Sequence, residues 1–475
     1  MNARRRIFSI VLAILVLSGL LVISVYSGGA RNEGKTTQSD TLIGSTRPTL
    51  KLWYNDDALT DFLNDAAVSW NESHTEARVE PTLVTDNEYI RSINDASLDG
   101  DDFPDLYIAA NNELEKCWKA GLASEVTDTA HFADTSTFPQ SAINAVTYEG
   151  KILGYPMYYE TAAFLINEDY LQQMADDAGQ DLDSTVPKTM IDVVKLANAY
   201  NAPDGVDDIF AWDVSDILYN YAFLGSYLSI GGETGDDASL DDIVIYNENT
   251  IQCLSVYQQL NQFFSIDVTS DTYDSLIDDF ADGRSVFTIA STDAPGRIQK
   301  KIDTGESELN YLVVPIPDLT DSLTSRTLSI TDCLIVNGYS EHESEANDFA
   351  RWLLFSGMDS FYDRTGLAVC RLDYSYGDSH MDGFTGAYES SIPITKLRTA
   401  SNFWMELENT FANVWDGTDP NDALYELYST TMQQMSGTKD YHLQDRITPE
   451  AVSISAQLSS GEEEIESTES ATTEE

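Results

Sequence analysis

From Leu50 onward, apolar positions fall into an alternation of short extended runs and helically spaced runs. Lys51-Leu52-Trp53-Tyr54 ends in the polar residues Asn55, Asp56 and Asp57. Leu59, Phe62, Leu63, Ala66 and Trp70 then recur at helical spacing, which predicts a strand followed by a helix. A second such unit runs from Pro104-Asp105-Leu106 through Asn111 and Asn112 into a helix carrying Leu114, Trp118 and Leu122, with Gly121 near its end. Repeated units of this kind predict an α/β sheet with covering helices and a ligand site at the carboxyl ends of the strands. Asn55, Asp56, Asp57, Asn111 and Asn112 would share that rim.

Tyr148–Leu171 pairs a turn at Glu149-Gly150 with two extended apolar runs, between which lie Tyr155, Pro156, Tyr158, Tyr159 and Glu160. A strand passing from one domain to the next reads this way, and so does a half-buried hairpin. Beyond it the pattern predicts a helix over Ile191–Tyr200 with a Pro-first start at Pro187, and further helices over Asn249–Phe264 and Tyr273–Phe280. Strands are expected at Ser285–Ala290, Leu312–Pro317 and Ser329–Val336, the last carrying Thr331 and Asp332. Helices over Ala346–Phe355, Thr399–Trp415 and Asp422–Met435 complete the body.

The amino terminus breaks this pattern. Arg4-Arg5-Arg6 precede Ile7–Tyr26, an uncharged run of 20 residues, long enough at about 1.5 Å per residue to span a hydrocarbon core of roughly 30 Å. A retained anchor is expected, with the arginines cytoplasmic and the rest of the chain outside; cleavage near Gly28 or Ala30 is the alternative, leaving a secreted protein. No cysteine precedes Cys117, which excludes lipid attachment near this end. Residues 31–48 read as a flexible linker, and 458–475, almost wholly Ser, Thr and Glu, as a disordered acidic tail.

The charge removes whole classes of partner. With 26 basic and 80 acidic residues the net charge is −54, which repels nucleic acid and anionic headgroups. Four scattered cysteines without CxxC spacing or nearby His make zinc and other cofactors unexpected. They read as four buried thiols, with a Cys333–Cys370 disulfide as the alternative. Asp95, Ser97, Asp99 and Gly100 mimic half a calcium loop, but the twelfth position is Leu106 rather than a bidentate Glu, so no metal site is expected.

Seven short motifs, in order, resemble the extracellular solute-binding proteins of ABC importers, in particular the maltose-binding-like carbohydrate group. They are Lys51-Leu52-Trp53, Pro104-Asp105-Leu106 with Ala120-Gly121-Leu122, Gly150-Lys151 through Tyr155-Pro156 to Glu160, Pro187-Lys188-Thr189, Gly231-Gly232, Phe280–Ile289 with Asp282-Gly283, and Phe403-Trp404. The resemblance implies a type II, two-lobed periplasmic-binding-protein-like fold with a ligand cleft, one lobe 49–158 plus 331–372 and the other 161–328 plus 382–457. It implies chain crossings near Tyr158–Thr161, Ser329–Thr331 and Tyr374–Asp382. Two departures stand out. The lipoprotein cysteine usual in Gram-positive members is missing, and several sugar-contacting positions are changed, to Ala109, Asp293 and Glu408.

A sugar offers hydroxyls at its edge and C–H groups on its faces, so carboxylates, amides and one aromatic plate suit it. On the family match, Asp56, Asp57, Asn111, Asn112, Glu160, Asp213 and Asp293 would accept or exchange hydrogen bonds, with Ser215, Ser291, Thr331 and Glu408 beside them. Trp404 is the first plate and Tyr158, Tyr159 and Tyr219 stand behind it. The function implied is a monomeric carbohydrate receptor, held at the membrane by its amino-terminal helix, that delivers ligand to permease subunits and their ATPase. A sensor or scaffold ectodomain and a receptor for another polar or cationic solute are the alternatives. Without a local acid-pair motif or nucleophile constellation, a glycosidase is not expected.

Overall fold

The computed structural model describes residues 47–458 apart from 101, 133, 134 and 269; the Ile7–Tyr26 segment and the acidic tail fall outside these residues. Among the described residues no helix is long and apolar enough to cross a membrane. In chain order the strands are β1 (Thr49–Tyr54), β2 (Arg78–Leu83), β3 (Leu106–Ala110), β4 (Thr147–Tyr148), β5 (Lys151–Ile152), β6 (Tyr155–Asn167), β7 (Asp208–Phe210), β8 (Ser285–Ser291), β9 (Tyr311–Val314), β10 (Leu328–Val336), β11 (Ala368–Val369) and β12 (Ile392–Pro393). All but the β4–β5 hairpin join one sheet with the main order β2-β1-β3-β10-β6-β8-β7.

The predicted units form for the reasons their spacing gives. Leu50 and Leu52 of β1 are buried, and the helix Thr60–Ser73 buries Phe62, Leu63, Ala66, Ala67 and Trp70 along one face. Asp56 caps the short turn before it, its Oδ1 accepting from the Ala58 N–H at 2.9 Å. The calcium-like Asp95–Gly100 stretch is the end of the helix Tyr89–Asp99, closed by Gly100 at φ 75°. At Pro187 the sequence expectation needs correction. Thr189 is the helix N-cap, in a capping box with Asp192, so Pro187 lies outside the helix Met190–Ala199 instead of opening it. The four cysteines are buried free thiols; β10 and β11 lie on either side of β6, which separates Cys333 from Cys370.

β6 organises the sheet. Tyr155–Thr161 pairs with β10, while from Ala162 the same strand pairs with β8 and β9. Its N-terminal portion belongs to a half-sheet with β10, β3, β1 and β2, and its C-terminal portion to one with β8, β9 and β7. The change of partner falls one residue after Glu160. β10 shifts register against β6 between Asp332 and Cys333, a bulge that re-aims side chains where the strands meet. A large apolar cluster packs one face of the second half-sheet, with Trp212, Tyr257, Phe411 and Trp415 at its centre; a second runs across both half-sheets, from Leu52 and Ile108 to Ala163, Ala290 and Tyr311, and a third packs the first.

Candidate functional site

Three depressions share lining residues and run together as one trough across the partner change in β6. The first, of about 620 Å³, is lined by Asn55, Asp56, Asp57, Tyr158, Glu160, Asp293 and Asp332. Asn55 and Asp332 pass into a second of about 540 Å³, which adds Asn112, Glu113 and Lys116. Those three also line a third, of about 640 Å³, walled by Thr395–Thr399 and Trp404.

At the first end the walls are carboxylates beside tyrosines. Glu160 is open to water but surrounded on several sides, and that partial desolvation raises its pKa, with Asp293 adding to it and a hydrogen bond with Ser291 opposing it. Asp332 sits deeper, on the bulged part of β10, paired in the ladder with Ala110 on one side and Tyr158 on the other. Burial first, then the Asp56 and Glu160 charges, push its pKa up to about 7, against the help of a Tyr158 hydrogen bond. Asp332 went unselected by sequence, although a single carboxylate inside the apolar run Leu328–Val336 is a signal, because a buried charge needs a reason.

The other expected residues divide into those that line the trough and those that build it. Asp293 is exposed and accepts from the Ser291 hydroxyl at 2.6 Å and from the Tyr273 hydroxyl. Ser291 is buried and positions Asp293 rather than facing solvent. Asn111 is fully buried with both ends of its amide used: Nδ2 donates to the Ile394 carbonyl and Oδ1 accepts from the Thr331 N–H, each at 3.0 Å. Thr331 is likewise buried, its hydroxyl paired with Tyr388 at 2.8 Å. These two hold the strand junction together; Asn112 is the member of its pair that lines the trough.

Asp213 is hydrogen-bonded to its own loop and to the start of the helix at Tyr273. One oxygen accepts from the Ser215 N–H (2.9 Å) and hydroxyl (2.6 Å), the other from the Tyr273 N–H (3.1 Å). Tyr219 is buried and stacked on Tyr273 with centroids 4.9 Å apart, and Tyr159 is stacked on Tyr388 at 3.8 Å. Neither offers an open plate. Trp404 is half-buried, 5.8 Å from the Tyr221 ring, and lines the third depression with Lys116 and Arg398, away from Glu160. Glu408, one turn on, is half-buried, and burial, then Asp216, raise its pKa.

A doubly lobed α/β chain with a polar, aromatic-edged trough where its crossing strand changes partner has the build of a binding protein. Residues 66–357 match the family model of bacterial extracellular solute-binding proteins, and the chain belongs to that family. It is accordingly an extracytoplasmic, non-enzymatic receptor. Among similar proteins, the maltodextrin-binding protein MdxE of Bacillus subtilis is 21% identical over 365 residues, covering 72% of this chain and 81% of that one. An extracellular solute-binding protein from Staphylococcus aureus in complex with maltose superposes with a TM-score of 0.69 at 17% identity, covering 82% of this chain and 99% of that one. The maltose-binding protein MalE of Listeria monocytogenes, also in complex with maltose, gives 0.67 at 18%, covering 84% and 100%.

Proposed function

We propose that this protein captures a sugar or oligosaccharide in the trough and delivers it to an ABC permease, closing two lobes over the ligand. On this reading the lobes are 49–158 plus 331–372 and 161–328 plus 382–457, joined by crossings near Tyr158–Thr161, Ser329–Thr331 and Tyr374–Asp382. The observation that carries the reading is the placement of Glu160 and Asp332 on the two adjacent crossing strands, with Asp56 and Asp57 on one side and Asp293 on the other. A hydroxyl-rich ligand there meets acceptors from both lobes at once, and only the closed state makes all of them. The half-exposed Trp404 supplies a plate for a sugar face at the far end. Relatives named for maltose and maltodextrin binding support the class of ligand, while Glu408 and Asp293 at changed positions leave the particular sugar to experiment.

Titration calorimetry against a panel of neutral and amino oligosaccharides is the test; binding of a different solute class with none to any glycan removes the carbohydrate assignment. One observation favours a second reading: the depression around Glu160 is lined by five carboxylates and no Lys or Arg. An amine-bearing ligand, including an amino sugar, would complement it. Permease subunits co-purifying from membranes would separate an import receptor from a sensor ectodomain.

A further inference from the structure

Lys396 is a fully buried lysine. Its ammonium donates to the backbone carbonyl of Asn144 at 2.9 Å and to that of Thr234, with the Asp236 carboxylate close enough to be felt. Taking an ammonium out of water is costly, and two carbonyl dipoles only partly offset it. Burial accordingly pulls its pKa down to about 8. An apolar side chain would fill the same space without that cost. What the ammonium adds is direction: it fixes two carbonyls from distant parts of the chain relative to each other.

On the lobe division proposed above, those carbonyls fall in different lobes. Asn144 is in the helix Gln140–Val146, which leads into the β4–β5 hairpin and β6, whereas Thr234 lies in the loop after Gly231-Gly232. The backbone around Lys396 repeats the arrangement. Towards the first side, the Ile394 carbonyl accepts from Asn111 at 3.0 Å, and the Arg398 N–H donates at 2.5 Å to Glu115, itself buried. Towards the second, the Lys396 N–H donates to the Gly235 carbonyl at 2.6 Å, as does the Thr395 hydroxyl at 2.9 Å. The Glu149 N–H donates to Asp236 at 2.5 Å and closes the ring of contacts. At Gly231, with φ 90°, a Cβ would lie 2.5 Å from the Thr395 hydroxyl, so only glycine lets the loop come this close. The belt Thr395–Arg398 also walls the Trp404 depression, which puts a solute seated there against the segment that holds Lys396.

From this geometry we infer that Lys396 is a positioning residue, a pin that sets the ligand-free angle between the two lobes and so the work a solute must do to close them. The inference rests on the lobe-closure reading above. Its test needs no identified ligand for the decisive half. Spin labels on cysteines introduced at the exposed positions Ser69 and Glu426 report the lobe-to-lobe distance, since the four native thiols are buried. In Lys396→Met the ligand-free distance distribution shifts or broadens while far-UV circular dichroism is unchanged. Apparent affinity for whichever glycan the calorimetric panel selects changes by about threefold or more, because the binding-competent fraction changes. Glu115→Met, which breaks the neighbouring link to the Arg398 N–H, does the same and carries the comparison if Lys396→Met does not fold. Folded variants with the wild-type distance distribution would overturn the pin. Absence of binding to every glycan instead overturns the carbohydrate reading and leaves the ligand-free distances to decide the pin.

Discussion

The carboxyl of Asp332 makes a quantitative prediction about stability. Its pKa is raised from 3.8 to about 7, first by burial and then by Asp56 and Glu160. At about 1.36 kcal/mol per unit, a rise of about three units sets a ceiling of about 4 kcal/mol. Water reaching the carboxyl from the trough screens part of this, so about 2 kcal/mol is the working figure. The sign follows from proton uptake. Between about pH 4 and pH 7 the folded protein holds a proton on Asp332 that the unfolded chain has released, so this contribution to stability falls as pH rises and levels off above about pH 7. Asp332→Asn keeps the shape and removes the titration. Urea unfolding of both proteins across pH 4.5 to 8 should give a stability difference, mutant minus wild type, that grows by about 2 kcal/mol between the two ends of that range. A difference that stays constant across the range would mean that Asp332 is ionised throughout, and the account of the trough floor would fail.

Other substitutions separate the residues that meet solute from those that build the trough. Glu160→Gln should weaken glycan binding about tenfold by calorimetry with a urea midpoint no lower than that of the wild type, because burial and Asp293 already disfavour the charged form; wild-type affinity would return it to plain structure. Trp404→Ala should lower affinity by about 1.5 kcal/mol and reduce the ligand-induced change in tryptophan fluorescence. Asn111→Ala, by contrast, leaves the Thr331 N–H and the Ile394 carbonyl unpaired in the core and should cost about 2–3 kcal/mol in denaturant unfolding.

Much of the fold was legible because its determinants are local. Phe62, Leu63, Ala66 and Trp70 face one way on any helix, and they do so here; Glu149-Gly150 turns the hairpin with both residues at positive φ. Pro187 misled because Thr189 and Asp192, in a reciprocal capping box, are the stronger start signal two residues later. For the site, residue type pointed to a rim of amides and acids, but exposure was beyond reach. Asn111 and Asn112 are neighbours of one kind, and one is locked in the core while the other lines the trough. Asp213 and Tyr219 have the chemistry of ligand contacts yet are consumed by Ser215 and by the Tyr273 backbone and ring.

Sequence by itself determined the alternation of strands and helices and the strongly acidic charge, and it offered Tyr148–Leu171 as a strand between domains or a half-buried hairpin. Those depend on periodicity and composition, which neighbours along the chain supply. Only the tertiary structure decided that β6 changes partner one residue after Glu160, that Asp332 lines the trough beside a bulge in β10, and that the buried Lys396 donates to the carbonyls of Asn144 and Thr234. Register, burial and a buried charge's partners are set by residues more than a hundred positions away, and no local pattern records them.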